Sequence, residues 1–182
     1  MKIYHFSGGR EERERFFGES LADYIKESGA LVPLPLSGEE IATEKEPHGK
    51  PYFRDPALEG IHFSKSHTKG HEILCFSDSK VGVDCENTEA RTGIEDSYPG
   101  IAERCFTDEE MEYLRSEKND PKRRFFEIWT AKEAYMKYTG NGFSEGFHTF
   151  SSLSAPGVRI ETGRLDEAPH VVWSVCTASE GA

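Results

Sequence analysis

Two carboxylates lie close together in the segment Val81-Gly-Val-Asp-Cys-Glu86. Alternating apolar and polar residues predict a β-strand with Gly82, Asp84 and Glu86 on one face. Neighbouring Cα atoms on that face are roughly 6.5–7 Å apart, so the two charges repel each other. The pair suits Mg²⁺, which prefers hard oxygen ligands, and Gly82 leaves room for a ligand. The alternative is a solvent-exposed sheet edge.

A third carboxylate, Glu133, lies within the segment Trp129–Gly140. The segment is the end of a predicted helix in which Phe126, Trp129 and Met136 recur at helical spacing, and Glu133 falls on their side. A carboxylate in an apolar stripe is costly unless a cation, a metal or several hydrogen-bond donors meet it. The alternative is an ion pair with Lys137, one helical turn on, at a solvated edge.

Lys50, Ser66 and His67 have side chains of the kinds that bind anions. A glycine and a proline bracket Lys50, which predicts a tight, defined turn; the alternative is a plain surface turn. Ser66 and His67 end a predicted strand, where they bind an anion or satisfy a backbone group. His67 and His71 have the spacing of a helical zinc pair, but a turn separates them, so we expect no zinc site.

Hydrophobic periodicity predicts the elements that position these residues. Strands are expected at Lys2–Phe6, Ile61–His67, Glu72–Phe76, Val81–Glu86, Val158–Glu161 and Val171–Thr177. Helices are expected at Arg10–Ser28, Glu109–Ser116 and from Pro121 to Gly140. Thr107 and Glu110 form a predicted capping box, which gives Glu110 a structural role.

The chain of 182 residues has a net charge of −11. This charge argues against nucleic-acid binding, and a phosphate site requires a few lysines that converge against the mean field. The length predicts one domain or two closely packed lobes.

The compartment is predicted from what the sequence lacks. No apolar run has membrane-spanning length, and the N-terminus lacks the apolar core of a signal peptide. The four cysteines form no Cys-x-x-Cys pair and have apolar neighbours, so buried free thiols are expected. We therefore expect a cytoplasmic protein that does not bind membranes.

Several short motifs follow one another in a fixed order. They are Gly49-Lys50-Pro51, Phe63-x-x-Ser66-His67, Gly82-Val-Asp84-x-Glu86, Phe106-Thr-x-x-Glu110 and Trp129-x-x-Lys132-Glu133-Ala134-x-x-Lys137 with Gly140-x-Gly142. From Lys45 to Phe150 their order and spacing resemble the 4′-phosphopantetheinyl transferases, in particular the larger single-chain type that activates peptide synthetases. The acidic pair and the Trp-x-x-Lys-Glu-Ala segment are the most specific part.

The resemblance implies transfer of the phosphopantetheine arm of coenzyme A to a serine of an acyl or peptidyl carrier protein, with release of adenosine 3′,5′-bisphosphate. It implies that Asp84, Glu86 and Glu133 bind Mg²⁺, with Mn²⁺ as a substitute, on the pyrophosphate. Glu133 is then the general base, directly or through a metal-bound water. His67 and Lys137 complete the catalytic set with Asp84.

The resemblance also assigns residues to coenzyme A. Lys132 and Lys137 are expected to meet phosphate oxygens. Lys50 and His67 resemble residues that contact the 3′-phosphate and adenylate end, and Ser66 is expected to bind the coenzyme beside them.

The implied fold is α+β, a pseudo-two-fold pair of similar lobes with the active site in the cleft between them. Residues 1–78 would form the N-terminal lobe and residues 79–182 the C-terminal lobe. A monomer is expected because two lobes complete one site. Carrier proteins are usually acidic, and this chain is too, so docking is predicted on apolar residues of the segment from Tyr98 to Leu114. These residues are Ile101, Phe106, Met111 and Leu114, of which Phe106 and Leu114 are alternatively in the core.

Three positions depart from the family pattern. Lys65 stands where an aliphatic residue is usual, Thr68 replaces a common serine, and Cys85 replaces a β-branched residue. The segment before Gly49 is also short, so basic residues that clamp coenzyme A there are expected to be missing.

Two other functions fit the same residues. A catalytically silent member of the fold would bind coenzyme A or a carrier protein, although such a binder has no need for three metal-seeking carboxylates. An unrelated Mg²⁺-dependent phosphohydrolase would instead release inorganic phosphate.

Overall fold

A computed structural model of the chain describes residues 1–9, 12–32, 34, 36, 41–46, 49–89, 97–142 and 146–179. Two units with the same topology follow each other along the chain. In each, a strand leads to a long helix, and a hairpin then places its second strand at the centre of a three-stranded antiparallel sheet.

The first unit contains β1 Lys2–Ser7, α1 Arg13–Ser28, β2 Thr43–Lys45, β3 Pro51–Phe53, β4 His62–Thr68 and β5 His71–Ser77. Its sheet has the strand order β1-β5-β4, and β2 pairs with β3 as a separate hairpin. The second unit contains β6 Val81–Asn87, α2 Tyr98–Cys105, α3 Asp108–Ser116, α4 Pro121–Thr139, β7 Val158–Arg164 and β8 Val171–Ala178. Its sheet has the order β6-β8-β7. The predicted α+β fold with two similar lobes is confirmed, and the lobe boundary that we propose after residue 78 falls in the β5–β6 turn.

The predicted strands and helices are confirmed to within a few residues at their ends, although residues 10 and 11 of the first helix lie outside the described chain. Helix α1 ends at Gly29 and α4 at Gly140, both in the left-handed conformation, and Thr107 and Glu110 form the capping box. Strands β2 and β3 were not predicted because three residues cannot display a period. Helix α2 was missed because Pro99 and Gly100 read as a loop, whereas proline is tolerated in a first turn.

The two sheets meet along their edge strands β4 and β6 through hydroxyl groups. Ser64 Oγ accepts a hydrogen bond from the backbone N–H of Val83 at 3.0 Å, and Thr68 Oγ1 accepts one from Asn87 at 3.0 Å. These alternate side chains satisfy N–H groups of a sheet edge that would otherwise be buried without a partner. The lobes are therefore joined by polar contacts directly beside the acidic pair.

Packing also joins the lobes. Ile73 and Cys75 of β5 share one apolar cluster with Val81, Val83 and Cys85 of β6. The predicted alternation in β6, with the apolar residues on the face opposite Asp84 and Glu86, is thus confirmed. Among the described residues, no helix is both long and apolar enough to cross a bilayer.

All four cysteines are free thiols, as predicted. Three are buried, and Cys105 is partly exposed. Burial raises the pKa of the Cys75 and Cys85 thiols to about 12, so neither forms a thiolate at neutral pH.

Candidate active site

Helix α4 presents Glu133 and Lys137 one turn apart. Asp120 accepts a hydrogen bond from the Arg123 N–H at 3.0 Å and caps the start of the helix, and Gly140 terminates it. Lys137 Nζ lies 2.7 Å from Asp84 Oδ1 on strand β6. Its ion pair therefore links α4 to β6, in place of the Glu133–Lys137 pair at a solvated edge.

Gly82 lets β6 pack directly against the backbone of α4. A Cβ atom at this position would lie 2.0 Å from Ala134 O and 2.4 Å from Tyr138 N. The expectation that Gly82 leaves room for a ligand is therefore wrong, because the helix itself fills that space. The close approach brings the acidic face of β6 against the polar side of α4.

Asp84 lies at the centre of this contact and is only 4% exposed. The exposed-edge alternative is therefore wrong for this residue. Its Oδ1 accepts hydrogen bonds from Ser66 Oγ and Lys137 Nζ, both at 2.7 Å. Its Oδ2 is buried and has no hydrogen-bond partner among the described residues. A buried carboxylate oxygen without a partner is costly, and it marks a place for a donor or a cation.

Glu86 and Glu133 are electrostatically coupled to Asp84. Burial and then the negative charge of Asp84 raise the pKa of Glu86 to about 7. Burial and then Asp84 likewise raise the pKa of Glu133 to about 7, while Lys137 opposes the rise and Glu86 adds to it. The three carboxyl groups therefore repel one another, as the sequence predicted for the strand pair.

These carboxylates do not form a ready-made metal cage. Within the described part of the chain, no three His, Cys, Asp or Glu side chains are grouped so that they could hold a metal ion. The oxygen-only donor set and the unpartnered Asp84 Oδ2 suit a hard divalent cation, whose remaining ligands would come from water or substrate. In this structure the Lys137 ammonium supplies positive charge at Asp84.

Four lysines surround one cleft beside this acidic group. The cleft has a volume of about 360 Å³ and is lined by Lys45, Lys50, Lys65 and Lys137 together with Glu133. Strands β2 and β4 supply one wall, and α4 supplies the other. In a chain of net charge −11 this is a local concentration of positive charge, of the kind that a phosphate site requires.

Lys50 is held in the cleft by the turn that brackets it. Gly49 has φ of 89°, a left-handed conformation that favours glycine, in the turn that joins β2 to β3. Lys50 Nζ donates to Tyr138 O at 3.0 Å and to Val81 O at 3.3 Å, so it joins the end of α4 to the start of β6. Burial lowers the pKa of this lysine. Lys50 is therefore not part of a plain surface turn. Its contact with the 3′-phosphate of coenzyme A stays a prediction.

His67 and Ser66 line a second cleft that adjoins the first. It has a volume of about 760 Å³ and shares Thr43 and Lys65 with the lysine-rich cleft. His67 is exposed, whereas Ser66 is buried and directed at Asp84. The structure thus brings Ser66, Asp84, Glu133 and Lys137 together and places His67 on the neighbouring side of β4.

Lys132 requires a correction. Its side chain is fully buried and donates to both carboxylate oxygens of Glu110, at 2.9 and 2.7 Å, and to Phe150 O at 2.5 Å. An ammonium group enclosed in this way has no face toward the clefts, so we do not retain Lys132 as a phosphate ligand. The pair instead ties α3 and the segment after residue 146 to α4, since Glu110 also accepts from Ser152 N at 2.7 Å. The structural role predicted for Glu110 is confirmed.

The predicted docking residues divide into two groups. Phe106 and Leu114 are buried in the core of the second lobe, as the alternative stated. Ile101 and Met111 pack against that core but remain partly exposed. Two cationic lining residues, Arg13 and Lys45, were missed because nothing in their own segments distinguishes them from solvated charge.

Comparisons with known proteins find one matching family model and several similar curated proteins. The family model described as the 4′-phosphopantetheinyl transferase superfamily matches residues 80–181. Similar curated proteins are the 4′-phosphopantetheinyl transferase psf-1 of Bacillus pumilus, 32% identical over 89% of this chain and 65% of that protein, and the 4′-phosphopantetheinyl transferase of Bacillus subtilis, 31% identical over 78% and 63%. The 4′-phosphopantetheinyl transferase HetI of Nostoc is 30% identical over 75% of this chain and 54% of that protein. The chain thus spans about half to two thirds of the length of these relatives.

Solved structures are also similar, among them a synthase from Bacillus anthracis. A holo-(acyl-carrier-protein) synthase from Bacillus anthracis in complex with CoA (3′,5′-ADP) has a TM-score of 0.39 and 19% identity, over 55% of this chain and 96% of that one. At this level the likeness supports no conclusion about the site.

Proposed function

The chain belongs to the 4′-phosphopantetheinyl transferase superfamily, and on that premise we propose that it transfers the 4′-phosphopantetheine arm of coenzyme A to a serine of an apo carrier protein. The serine oxygen would form a bond to the β-phosphorus of the pyrophosphate. The bond from that phosphorus to the bridging oxygen would break, and adenosine 3′,5′-bisphosphate would leave. The serine hydroxyl must give up its proton in the same reaction.

One observation carries this proposal: a lysine-lined cleft directly adjoins a buried carboxylate with an unpartnered oxygen, Asp84 Oδ2. Phosphoryl transfer depends mainly on positioning and on neutralisation of phosphate oxygens. Lys137 borders both the cleft and Asp84, so it can leave the carboxylate for a phosphate oxygen once another cation neutralises Asp84. Ser66 would keep the Asp84 carboxylate oriented during that exchange.

Glu133 is the proposed proton acceptor for the carrier serine. It lines the cleft on α4, one turn from Lys137. Helix α4 is held at both ends and tied down by the buried Lys132–Glu110 pair next to Glu133. A base on a rigid element keeps the geometry that proton transfer needs.

We propose that Asp84, Glu86 and Glu133 hold Mg²⁺, with Mn²⁺ as a substitute. When bound, the ion would neutralise the pyrophosphate oxygens and the charge that develops on them. The support is the hard oxygen donor set, the mutual repulsion of the three carboxyl groups and the unpartnered Asp84 Oδ2. Because three ligands are not preassembled, binding of the ion would depend on the substrate pyrophosphate.

The carrier protein is proposed to dock without long-range attraction, since carriers are usually acidic and this chain has a net charge of −11. Ile101 and Met111 are the partly exposed apolar residues that we assign to this surface. We also propose a monomer, because one chain supplies both walls of the cleft. A cytoplasmic location is proposed because the four cysteines are free thiols.

The test combines the protein with coenzyme A, Mg²⁺ and an apo carrier protein and then measures the intact mass of the carrier. We expect a gain of one phosphopantetheine on the carrier serine. Asp84→Asn should abolish the gain, because the carboxylate becomes neutral while its shape is kept. Glu89→Gln, an exposed carboxylate just beyond β6, is the matched control and should leave the gain unchanged.

Two results would overturn the proposal. An unmodified carrier with coenzyme A retained by the protein would assign it to the silent binders. Release of inorganic phosphate from coenzyme A without carrier modification would assign it to the phosphohydrolases.

A further inference from the structure

Lys65 is an exposed residue of β4 that lies between two buried serines. Ser64 and Ser66 are buried against β6, whereas Lys65 and His67 are exposed on the opposite face. Phe63, on the same face, is buried in the core of the first lobe. The strand therefore emerges from under α1 at residue 65, where an aliphatic residue would lie at the edge of the core.

The ammonium group of Lys65 lies at the junction of the two clefts. Lys65 and Thr43 line both of them. Its Nζ lies 5.4 Å from the centre of the Phe17 ring, a cation–π contact that holds the side chain against α1. The lysine thus borders the opening between the lysine-rich cleft and the cleft of His67.

The second cleft contains one cation that has no carboxylate partner. Arg13 lines it but lies 3.5 Å from Glu72, which neutralises it. Lys65 has no ion-pair partner within the described residues, although the chain has 33 acidic residues. Glu14 also lines this cleft but is exposed to solvent, so the cleft carries no net charge. Among the described lining residues, Lys65 is the cation that stays outside an ion pair and can meet an anion beside His67.

Coenzyme A carries two separated anionic groups, the pyrophosphate and the ribose 3′-phosphate. If the pyrophosphate lies at Asp84 and Lys137, as proposed above, the 3′-phosphate must lie farther along the joined clefts. We propose that Lys65 binds this 3′-phosphate and gives the protein its preference for coenzyme A over 3′-dephospho-coenzyme A. This inference rests on the proposed function, and it assigns a ligand role to a lysine that departs from the family pattern.

The experiment compares two proteins with two ligands by isothermal titration calorimetry, with Mg²⁺ present and no carrier protein. Wild type and Lys65→Met are titrated with coenzyme A and with 3′-dephospho-coenzyme A. Methionine keeps the apolar stem against Phe17 and removes only the charge. We expect Lys65→Met to weaken coenzyme A about ten-fold, the usual effect of losing one charge-assisted contact, and to leave the dephospho form unchanged.

Two further variants sharpen the result. Lys65→Arg should keep most of the preference, because the cation is retained, and Lys69→Met in the exposed β4–β5 turn should behave like wild type. Equal weakening of both ligands by Lys65→Met would place Lys65 at the pyrophosphate and overturn the inference. If Lys65→Met keeps the wild-type preference for coenzyme A over 3′-dephospho-coenzyme A, Lys65 does not bind the 3′-phosphate and the inference is wrong. Failure of wild type to bind either ligand would overturn both this inference and the proposed function.

Discussion

Replacement of Gly82 by alanine tests whether direct packing of β6 on α4 builds the active site. The added Cβ would lie 2.0 Å from Ala134 O and 2.4 Å from Tyr138 N. Because real Cβ contacts essentially never fall below 3.0 Å, the strand and the helix must separate by at least about 1 Å. Both obstructing atoms belong to the backbone, so no change of side-chain rotamer relieves the clash.

The separation should affect both stability and activity. Overpacking of this kind typically costs 1–3 kcal/mol, and with two backbone clashes we expect a loss of about 3 kcal/mol in the free energy of unfolding. Asp84 moves with β6 and Lys137 with α4, so their 2.7 Å contact would lengthen. A misplacement of about 1 Å can lower a rate about 100-fold, which we expect for phosphopantetheine transfer.

Urea unfolding measures the first effect, and the rate of carrier modification measures the second. Gly60→Ala is the matched control, since a Cβ there meets nothing within 4 Å. It should change the unfolding free energy by less than about 0.5 kcal/mol. If Gly82→Ala has the same unfolding free energy and the same rate of carrier modification as Gly60→Ala, then β6 does not pack directly on the backbone of α4.

Three other perturbations follow from the same site. Lys132→Met should lower the free energy of unfolding by about 3–5 kcal/mol, because Glu110 would stay buried without its counter-charge; a loss below about 1 kcal/mol in urea unfolding would contradict the buried pair. Since the folded-state pKa values of Glu86 and Glu133, about 7, lie above the ordinary value of 4.5, their contribution to stability is full below pH 4.5 and is lost as pH rises through 7. Relative to the Glu86→Gln/Glu133→Gln double variant, the melting temperature of the metal-free wild type should therefore fall between pH 5 and 8. If the difference in melting temperature does not change with pH, the two carboxyl groups do not have raised pKa values. Because carboxylates must ionise to bind a metal, Mg²⁺ should raise the melting temperature more at pH 8 than at pH 6, an effect that chelation reverses and that the double variant lacks.

Much of the fold could be predicted because the long elements carry their own signals. The period of the apolar residues in α4 and the glycine that ends it locate the helix, and the alternation in β6 locates the acidic face. The function of Gly82 could not be predicted, because a glycine in a strand permits the approach of a ligand or of another backbone equally well. Only the tertiary structure shows that a helix takes the space.

The sequence predicted the types of the site residues more reliably than the directions in which their side chains point. Asp84, Glu133 and Lys137 were all expected near one another, but Lys132 is adjacent to Glu133 in sequence and points into the core. Adjacent helical residues differ by about 100° in direction, so a motif alone does not tell which of them faces the cleft. The alternate hydroxyls of β4 were visible in the sequence, yet their pairing with β6 depends on the meeting of two sheet edges.

The most direct test of the account is a crystal structure with Mn²⁺ and coenzyme A, in which anomalous scattering locates the metal. We expect one peak within coordination distance of Asp84, Glu86 and Glu133, with the pyrophosphate on the same ion and Lys137 moved from Asp84 to a phosphate oxygen. A peak elsewhere, or coenzyme A bound outside the lysine-lined cleft with the Lys137–Asp84 pair intact, would contradict the account.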